Sequence, residues 1–512
     1  MSSKYLDKNL DALRTLNPHL AETLENTQAD TTYTGSIEAK TGQLVPCFSG
    51  DTPANSRINP IIESERAISH IEKNNFLFFL GITGGFHIRA FLNKFPQGYC
   101  VAAERDLPAL KSLLSVIPLW DILSCKRVTL LPDLNPTTIV SELTQRYLPA
   151  LYGSFTSYSP RSWSQRFFGE EQKIAVSNAL THISRDYSVQ AHFGRVWFSN
   201  FIKNLSLMNQ SFSYTDRVDS NKTALIVAAG PSIDQELPKI KENRSLYIIF
   251  STDTALGALK GYGITPDYFI TIDPQYYSSL HAYSSLSPKT TVIVDCCANP
   301  TLISLAYRTG CQILFTVGGH PLGEYAASFS PLPYMDTSSG TVTVAAKHVA
   351  YSLGYEKIKV IGADFSYLGG KSYAKGTYLA DLFDNQSNRI NPAESAYTAL
   401  IFRTPVERSA YNSGYSYTTD TLLSYKAELA AWKPGNKWNN KEFSLFPTKK
   451  FATVLIKSLK ILSEQKEMCG PLFLAMIPFF AWFQNRYWLS CEQKNQKKAI
   501  ELALEMIAGY TS

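Results

Sequence analysis

The sequence has no Cys-x-x-Cys pair. Its 8 cysteines, Cys47, Cys100, Cys125, Cys296, Cys297, Cys311, Cys469 and Cys491, are scattered and mostly sit in apolar runs. That argues against structural zinc and predicts reduced core thiols. A Gly-x-x-x-x-Gly-Lys-Ser/Thr loop, an Asp-x-Asp run, a His-Glu-x-x-His helix and a Gly-x-Ser-x-Gly elbow are all missing. Zinc hydrolysis and covalent serine chemistry are therefore disfavoured. Lysine and arginine form no dense stripe. The net charge of +6 and pI near 8.6 suit an anionic substrate and speak against nucleic acid as a partner. Long hydrophobic runs are also lacking. The longest, Gly470 to Phe483, contains Pro478, is too short to span a bilayer and reads as a buried helix, with an interfacial helix as the alternative. The first residues, MSSKYLDKNLDALRTL, hold charges throughout and no apolar h-region. No signal peptide or transmembrane segment is expected, and the expected location is the cytoplasm.

What is present is a globular chain of 512 residues, 45% hydrophobic and 18% charged, too long for one core. Residues 1–150 read as a small α/β domain. It has an amphipathic helix within 1–30, hairpin character over 31–52, and a helix start at Asn59-Pro60. The run Phe76-Leu-Phe-Phe-Leu-Gly81-Ile-Thr-Gly84-Gly85-Phe-His87 reads as strand, Gly-rich turn and helix. A second strand, Gly98 to Glu104, ends in an acid at the distance where a Rossmann-type site meets a ribose. The turn departs from G-x-G-x-x-G, so it predicts a Rossmann-like core rather than a cofactor. Residues 151–220 read as a helical connector, with helices near Glu170–Arg185 and Ala191–Leu207.

Residues 221–430 alternate strands and helices, the pattern of a doubly wound parallel sheet. The expected strands are Ala224–Ala228, Leu246–Phe250, Tyr268–Ile272, Thr291–Val294, Gln312–Val317 and Lys357–Ile361, with a helix over Thr341–Leu353. Residues 431–512 read as helical, after a break at Lys433-Pro434-Gly435. Ligands of such sheets bind at the carboxyl ends of the strands. The polar residues fall there: Gly230, Pro231 and Ser232; Asp253; Asp273 and Gln275; His320; Asp364. A strand turning at Gly230-Pro231-Ser232 into a helix offers backbone N–H groups to a phosphate or carboxylate, with Ser232 as N-cap or ligand hydroxyl. Ser338, Ser339, Gly340 and Thr341 open a second helix in the same manner. Any one of these is an ordinary junction or capping residue by itself. Their number at one sheet edge favours a binding site.

Four stretches carry a family likeness: Ser56-Arg57-Ile-Asn-Pro60 with Glu63 to Arg66; Ala229 to Ile233; Gly263 to Asp273; and Ser339 to Ala346 with Ile361 to Tyr367. Over roughly residues 50–430 the chain resembles the motility-associated factor (Maf) family of flagellin glycosyltransferases. The central domain of that family is similar to bacterial sialyltransferases and to the hydroxymethylpterin pyrophosphokinase-like fold. The resemblance implies a GT-A-variant-like central domain and transfer of a nonulosonic acid, pseudaminic or legionaminic in type. The donor would be CMP-linked, the acceptor Ser or Thr of flagellin, and no cofactor or metal would be required. It implies donor contacts from Gly230, Pro231, Ser232, Asp253, Asp273, Gln275, Ser338, Ser339, Gly340 and Thr341. Asp364 and Tyr373 are its catalytic candidates. Two departures bear on this. Tyr373 stands where the family pattern has His, and Ala363 where it has Gln. A pterin pyrophosphokinase-like enzyme and a non-catalytic flagellin-binding protein are the alternatives.

Overall fold

The computed structural model describes the chain apart from residues 1–4, 73–74, 209–218, 220, 284, 412–413, 439–444, 466–467 and 512. The chain forms two compact units, one of Met1–His192 with Phe480–Gln496, the other of Phe193–Phe479 with Lys497–Ser512. The four-part division expected above differs from this. The connector is mostly one helix, Glu170–Met208, whose residues divide between the units at His192. The expected C-terminal domain contributes to both units.

The first unit starts with two helices, Leu6–Arg14 and Pro18–Asn26, in place of the single one expected. Asn17 separates them, because its side chain accepts from the Leu20 amide and Pro18 occupies the first helical position. The same Asn-Pro device opens helices at Asn59, Asn135 and Asn299. Strands β1 (Tyr33–Glu38), β2 (Leu44–Phe48) and β3 (Thr52–Pro53) make an antiparallel meander. Strands β4 (Phe76–Leu80), β5 (Tyr99–Ala103), β6 (Val128–Leu131) and β7 (Ser157–Tyr158) make a parallel sheet in the order β6-β5-β4-β7. Every residue of β4 is buried, as a central parallel strand covered on both faces requires.

The second unit holds all six expected strands: β8 (Thr223–Val227), β9 (Tyr247–Thr252), β10 (Tyr268–Thr271), β11 (Thr291–Asp295), β12 (Gln312–Thr316) and β13 (Ile358–Ile361). They pair parallel in the order β12-β11-β10-β9-β8-β13. Alternate side chains serve opposite faces. Ala224, Ile226, Phe250, Ile270 and Ile293 pack with Ala345, Ala346 and Val349 of the helix Val342–Ser352. Leu225, Val227, Ile249 and Ile361 pack with Ile233, Leu237 and Ile240 of the helix Ile233–Glu242. Helices thus cover both faces, and the sheet is doubly wound. The order reverses between β8 and β13, so their loops flank the switch point where such sheets bind ligands. An unexpected antiparallel sheet follows: β14 (Tyr367–Leu368), β15 (Glu407–Tyr411) and β16 (Gly414–Thr418), in the order β14-β16-β15. Among the described residues, no helix is long and apolar enough to cross a membrane.

Candidate functional site

At the switch point, the loops after β8 and β13 lock together. The Gly230 amide donates to the Gly362 carbonyl at 2.8 Å. The Ser232 amide donates to Asp364 Oδ2 at 2.9 Å, and the Ser232 hydroxyl donates to Asp364 Oδ1. A Cβ at Gly230 would stand 2.5 Å from both Asp364 Oδ2 and the Gly362 oxygen, so only glycine fits. The start of the helix Ile233–Glu242 therefore holds an anion, but that anion is the chain's own carboxylate. Ser232 has helical backbone angles and does not cap its helix. The expected N-cap role is corrected: the hydroxyl is turned to Asp364 and accepts from no amide of the helix.

The loops after β9 and β10 are also joined. Thr271 donates its hydroxyl to Asp253 Oδ2 at 3.1 Å and accepts from the Asp273 amide at 3.4 Å. Asp253 Oδ1 accepts from the Thr254 amide at 2.8 Å, and Asp273 Oδ1 from the Gln275 amide at 2.9 Å. Burial raises the Asp273 carboxyl above its ordinary range, and the Asp253 charge adds to that. The segment 371–377 crosses over this edge. The Ala374 amide donates to the Ala229 carbonyl at 2.9 Å, and Gly257 has no room for a Cβ beside the Gly376 carbonyl. Tyr373, on that segment, is held protonated by burial, and Asp253 is among the charges acting on it. The sheet edge thus brings together Gly230, Ser232, Asp253, Asp273, Asp364 and Tyr373. Gln275 is exposed.

The second helix start is built around a different acid. Asp336 Oδ1 accepts from the Ser338 amide at 3.0 Å and its hydroxyl at 2.6 Å. Thr341 caps the helix Val342–Ser352 by accepting from Thr343 at 3.4 Å. Thr337, in the same turn, donates its hydroxyl to the Gly318 carbonyl after β12. His320, one of the polar residues expected at the strand ends, caps the helix Pro321–Phe329, accepting at Nδ1 from the Leu322 amide at 3.2 Å. Burial pushes its pKa down to about 4.

Sequence reasoning missed three residues here. Asp295 ends β11 just as Asp253 and Asp273 follow their strands, and that position was its signal. Burial pushes its carboxyl up to about 6 although the Cys297 amide donates to Oδ1 at 2.7 Å, and Oδ2 has no partner. Asn200 donates to the Pro274 and Cys297 carbonyls, at 2.9 and 3.1 Å. Asn204 donates to those of Cys296 and Ala298, at 3.0 and 2.9 Å. Two asparagines four apart amid buried Phe198, Phe201, Ile202 and Leu205 were the signal.

In the first unit, the ribose-type acid is closed off. Glu104 is fully buried, and its Oε1 accepts from Trp163 Nε1 at 2.8 Å and from the Arg105 amide at 3.0 Å. Tyr33 donates its hydroxyl to Oε2 at 3.2 Å. The Trp163 ring lies so close over Gly81 that a Cβ there would stand 2.5 Å from it.

A Treponema pallidum (strain Nichols) protein described as uncharacterized is 37% identical over 232 residues, covering 45% of this chain and 80% of that protein. A second, described likewise, is 36% identical over 166 residues, covering 32% and 79%. The chain belongs to the family of these Treponema pallidum proteins. Residues 199–370 match the family model described as 6-hydroxymethylpterin diphosphokinase MptE-like. The Maf glycosyltransferase from Magnetospirillum magneticum AMB-1 superposes with a TM-score of 0.62 at 14% identity, over 100% of this chain and 97% of that one. The chain thus has the Maf glycosyltransferase fold, with an MptE-like central segment.

Proposed function

We propose that the chain is a glycosyltransferase. It moves a nonulosonic acid, pseudaminic or legionaminic in type, from a CMP-linked donor to Ser or Thr hydroxyls of flagellin in the cytoplasm, supporting motility. The observation that carries this reading is the linked set Asp253–Thr271–Asp273 beside Tyr373, at the carboxyl edge next to the switch point. The Maf fold agrees with it.

In this reading Gly230, Pro231 and Ser232 shape the donor site by fixing Asp364, not by offering open amides. Asp253, Asp273 and Gln275 face ribose, base or donor sugar. The turn Ser338-Ser339-Gly340-Thr341 receives the phosphate or the sugar carboxylate. The acceptor oxygen bonds to the anomeric carbon as the bond to the CMP phosphate breaks. The hydroxyl proton passes to a carboxylate, and Tyr373 donates a hydrogen bond to the departing phosphate. Asp364 is engaged by Ser232, whereas burial raises the Asp273 carboxyl and makes it a stronger proton acceptor than an ordinary carboxylate. A donor with one phosphate needs no cation to neutralise a diphosphate, so transfer should survive EDTA.

Incubation with a CMP-nonulosonic acid and flagellin should raise flagellin mass by one sugar per site, and calorimetry should detect CMP binding. No mass shift with any such donor, together with no CMP binding, would overturn the reading. A second reading, a pterin diphosphokinase, is favoured by the matched family model. Magnesium-dependent AMP release from ATP with a pterin alcohol would establish it instead.

A further inference from the structure

The Gly-rich turn of the first unit has no part in that chemistry, yet Asn55, just before the Ser56–Pro60 block, is bonded to it. Asn55 Oδ1 accepts from the Gly84 amide at 2.9 Å, which fixes the Asn55 carboxamide on the turn. The Nδ2 of the same group is buried and has no partner. Thr83, inside the turn, is fully buried, and its Oγ1 is also without a partner. Thr83 holds φ at 48°, a left-handed conformation that a β-branched residue rarely adopts. Strain of that kind persists only where the surroundings impose it. The nine-residue helix Phe86–Lys94 starts here, and its N-cap, Gly85, brings no side chain to the first amides. Gly84, Gly85, His87 and Ile88 are all buried, so the helix starts inside the unit rather than in solvent. The Arg89 guanidinium donates to the Gly84 carbonyl at 2.8 Å and holds a cation at the turn, shared with Asp121.

Every unmet group at this place can donate: a carboxamide N–H, a hydroxyl that can also accept, and the amides at the positive end of a helix. Unpartnered donors gathered at one turn suit an oxyanion. The neighbouring position where a Rossmann site takes a nucleoside is filled, because Trp163 covers Gly81 and Glu104 is tied to Trp163 and Tyr33. We propose that the turn Gly81–Gly85 binds a small oxyanion, a phosphate or a carboxylate carrying no nucleoside, through Asn55 Nδ2, the Thr83 hydroxyl and the first amides of the helix.

The test is calorimetric titration of the full chain with inorganic phosphate, acetate and AMP. Asn55→Asp keeps the acceptor for Gly84 but replaces the Nδ2 donor with a carboxylate oxygen. Thr83→Gly removes the hydroxyl and relieves the strained backbone, so it serves even if Asn55→Asp fails to fold. Phosphate or acetate should bind the wild-type chain, and each variant should weaken that binding by about tenfold or more. The stronger of the two anions identifies the source of the oxyanion. No binding of either anion, or binding that both folded variants retain, would overturn the proposal. AMP binding tighter than phosphate and equally sensitive to Asn55→Asp would overturn the exclusion of a nucleoside.

Discussion

Ionisation of Asp295 opposes folding. Burial lifts its carboxyl from 3.8 to about 6, so the folded chain holds this proton more tightly than the unfolded chain. The neutral acid is favoured below the unfolded value, and stability falls as pH rises from about 4 to about 6. Above that window the full penalty applies, about 3 kcal/mol at ~1.4 kcal/mol per unit. Asp295→Asn should therefore raise the urea midpoint at pH 7 and change it far less at pH 4. Equal gains at both pH values would refute the assignment. Asn204 shows the opposite case, a buried donor that is needed. Asn204→Asp cannot give the two N–H bonds now made to the Cys296 and Ala298 carbonyls. It should cost roughly 2–4 kcal/mol and loosen the loop after β11, seen as faster hydrogen exchange there. These residues also mark the limit of sequence reading. An acid after a strand is visible in a sequence, and Asp253, Asp273 and Asp364 were found that way. Which partner satisfies each acid depends on residues far along the chain, as with Ser232 and Asp364.

At the scale of elements, the six strands of the second unit were legible because each is a short β-branched or aromatic run closed by a turn. Asn59-Pro60 was legible for a similar reason, since capping and proline chemistry are local. The sheet β14-β16-β15 was not, because β15 is exposed along its whole length and carries no apolar alternation. The helix Glu170–Met208 was read as two, since its mixed aromatic and polar sequence gives no single stripe. The junction of the β8 and β13 loops is the element most sensitive to added volume. Gly230→Ala drives a methyl group into Asp364 and the Gly362 carbonyl, and should cost ~1–3 kcal/mol. A lower melting temperature, with any transferase activity lost before the fold is, is the expected result. An alanine variant with unchanged stability would show that the two loops separate easily.

At the scale of the whole molecule, each unit takes chain from two separate regions, and in the first unit they lie far apart in sequence. Phe480–Gln496 belongs with Met1–His192, and buried Gln484 donates to the Ala150 carbonyl at 2.8 Å. Two truncations separate the roles of the C-terminal helices. Ending the chain after Gln496 should leave exchange protection in β4 and β5 intact. Ending it after Phe479 should lower that protection, although both strands lie several hundred residues upstream in sequence. Loss of protection in neither would mean that the first unit is complete without its late segment. The same arrangement sets an order for synthesis. Residues up to His192 leave the ribosome first, but the segment that finishes their unit emerges only after 193–479 have been made. At ~5–20 residues per second, that wait is on the order of 15–60 s. During it, the nascent first unit lacks Phe480, Ala481 and Phe483, all buried in the finished chain, and in that unfinished state it is open to a chaperone.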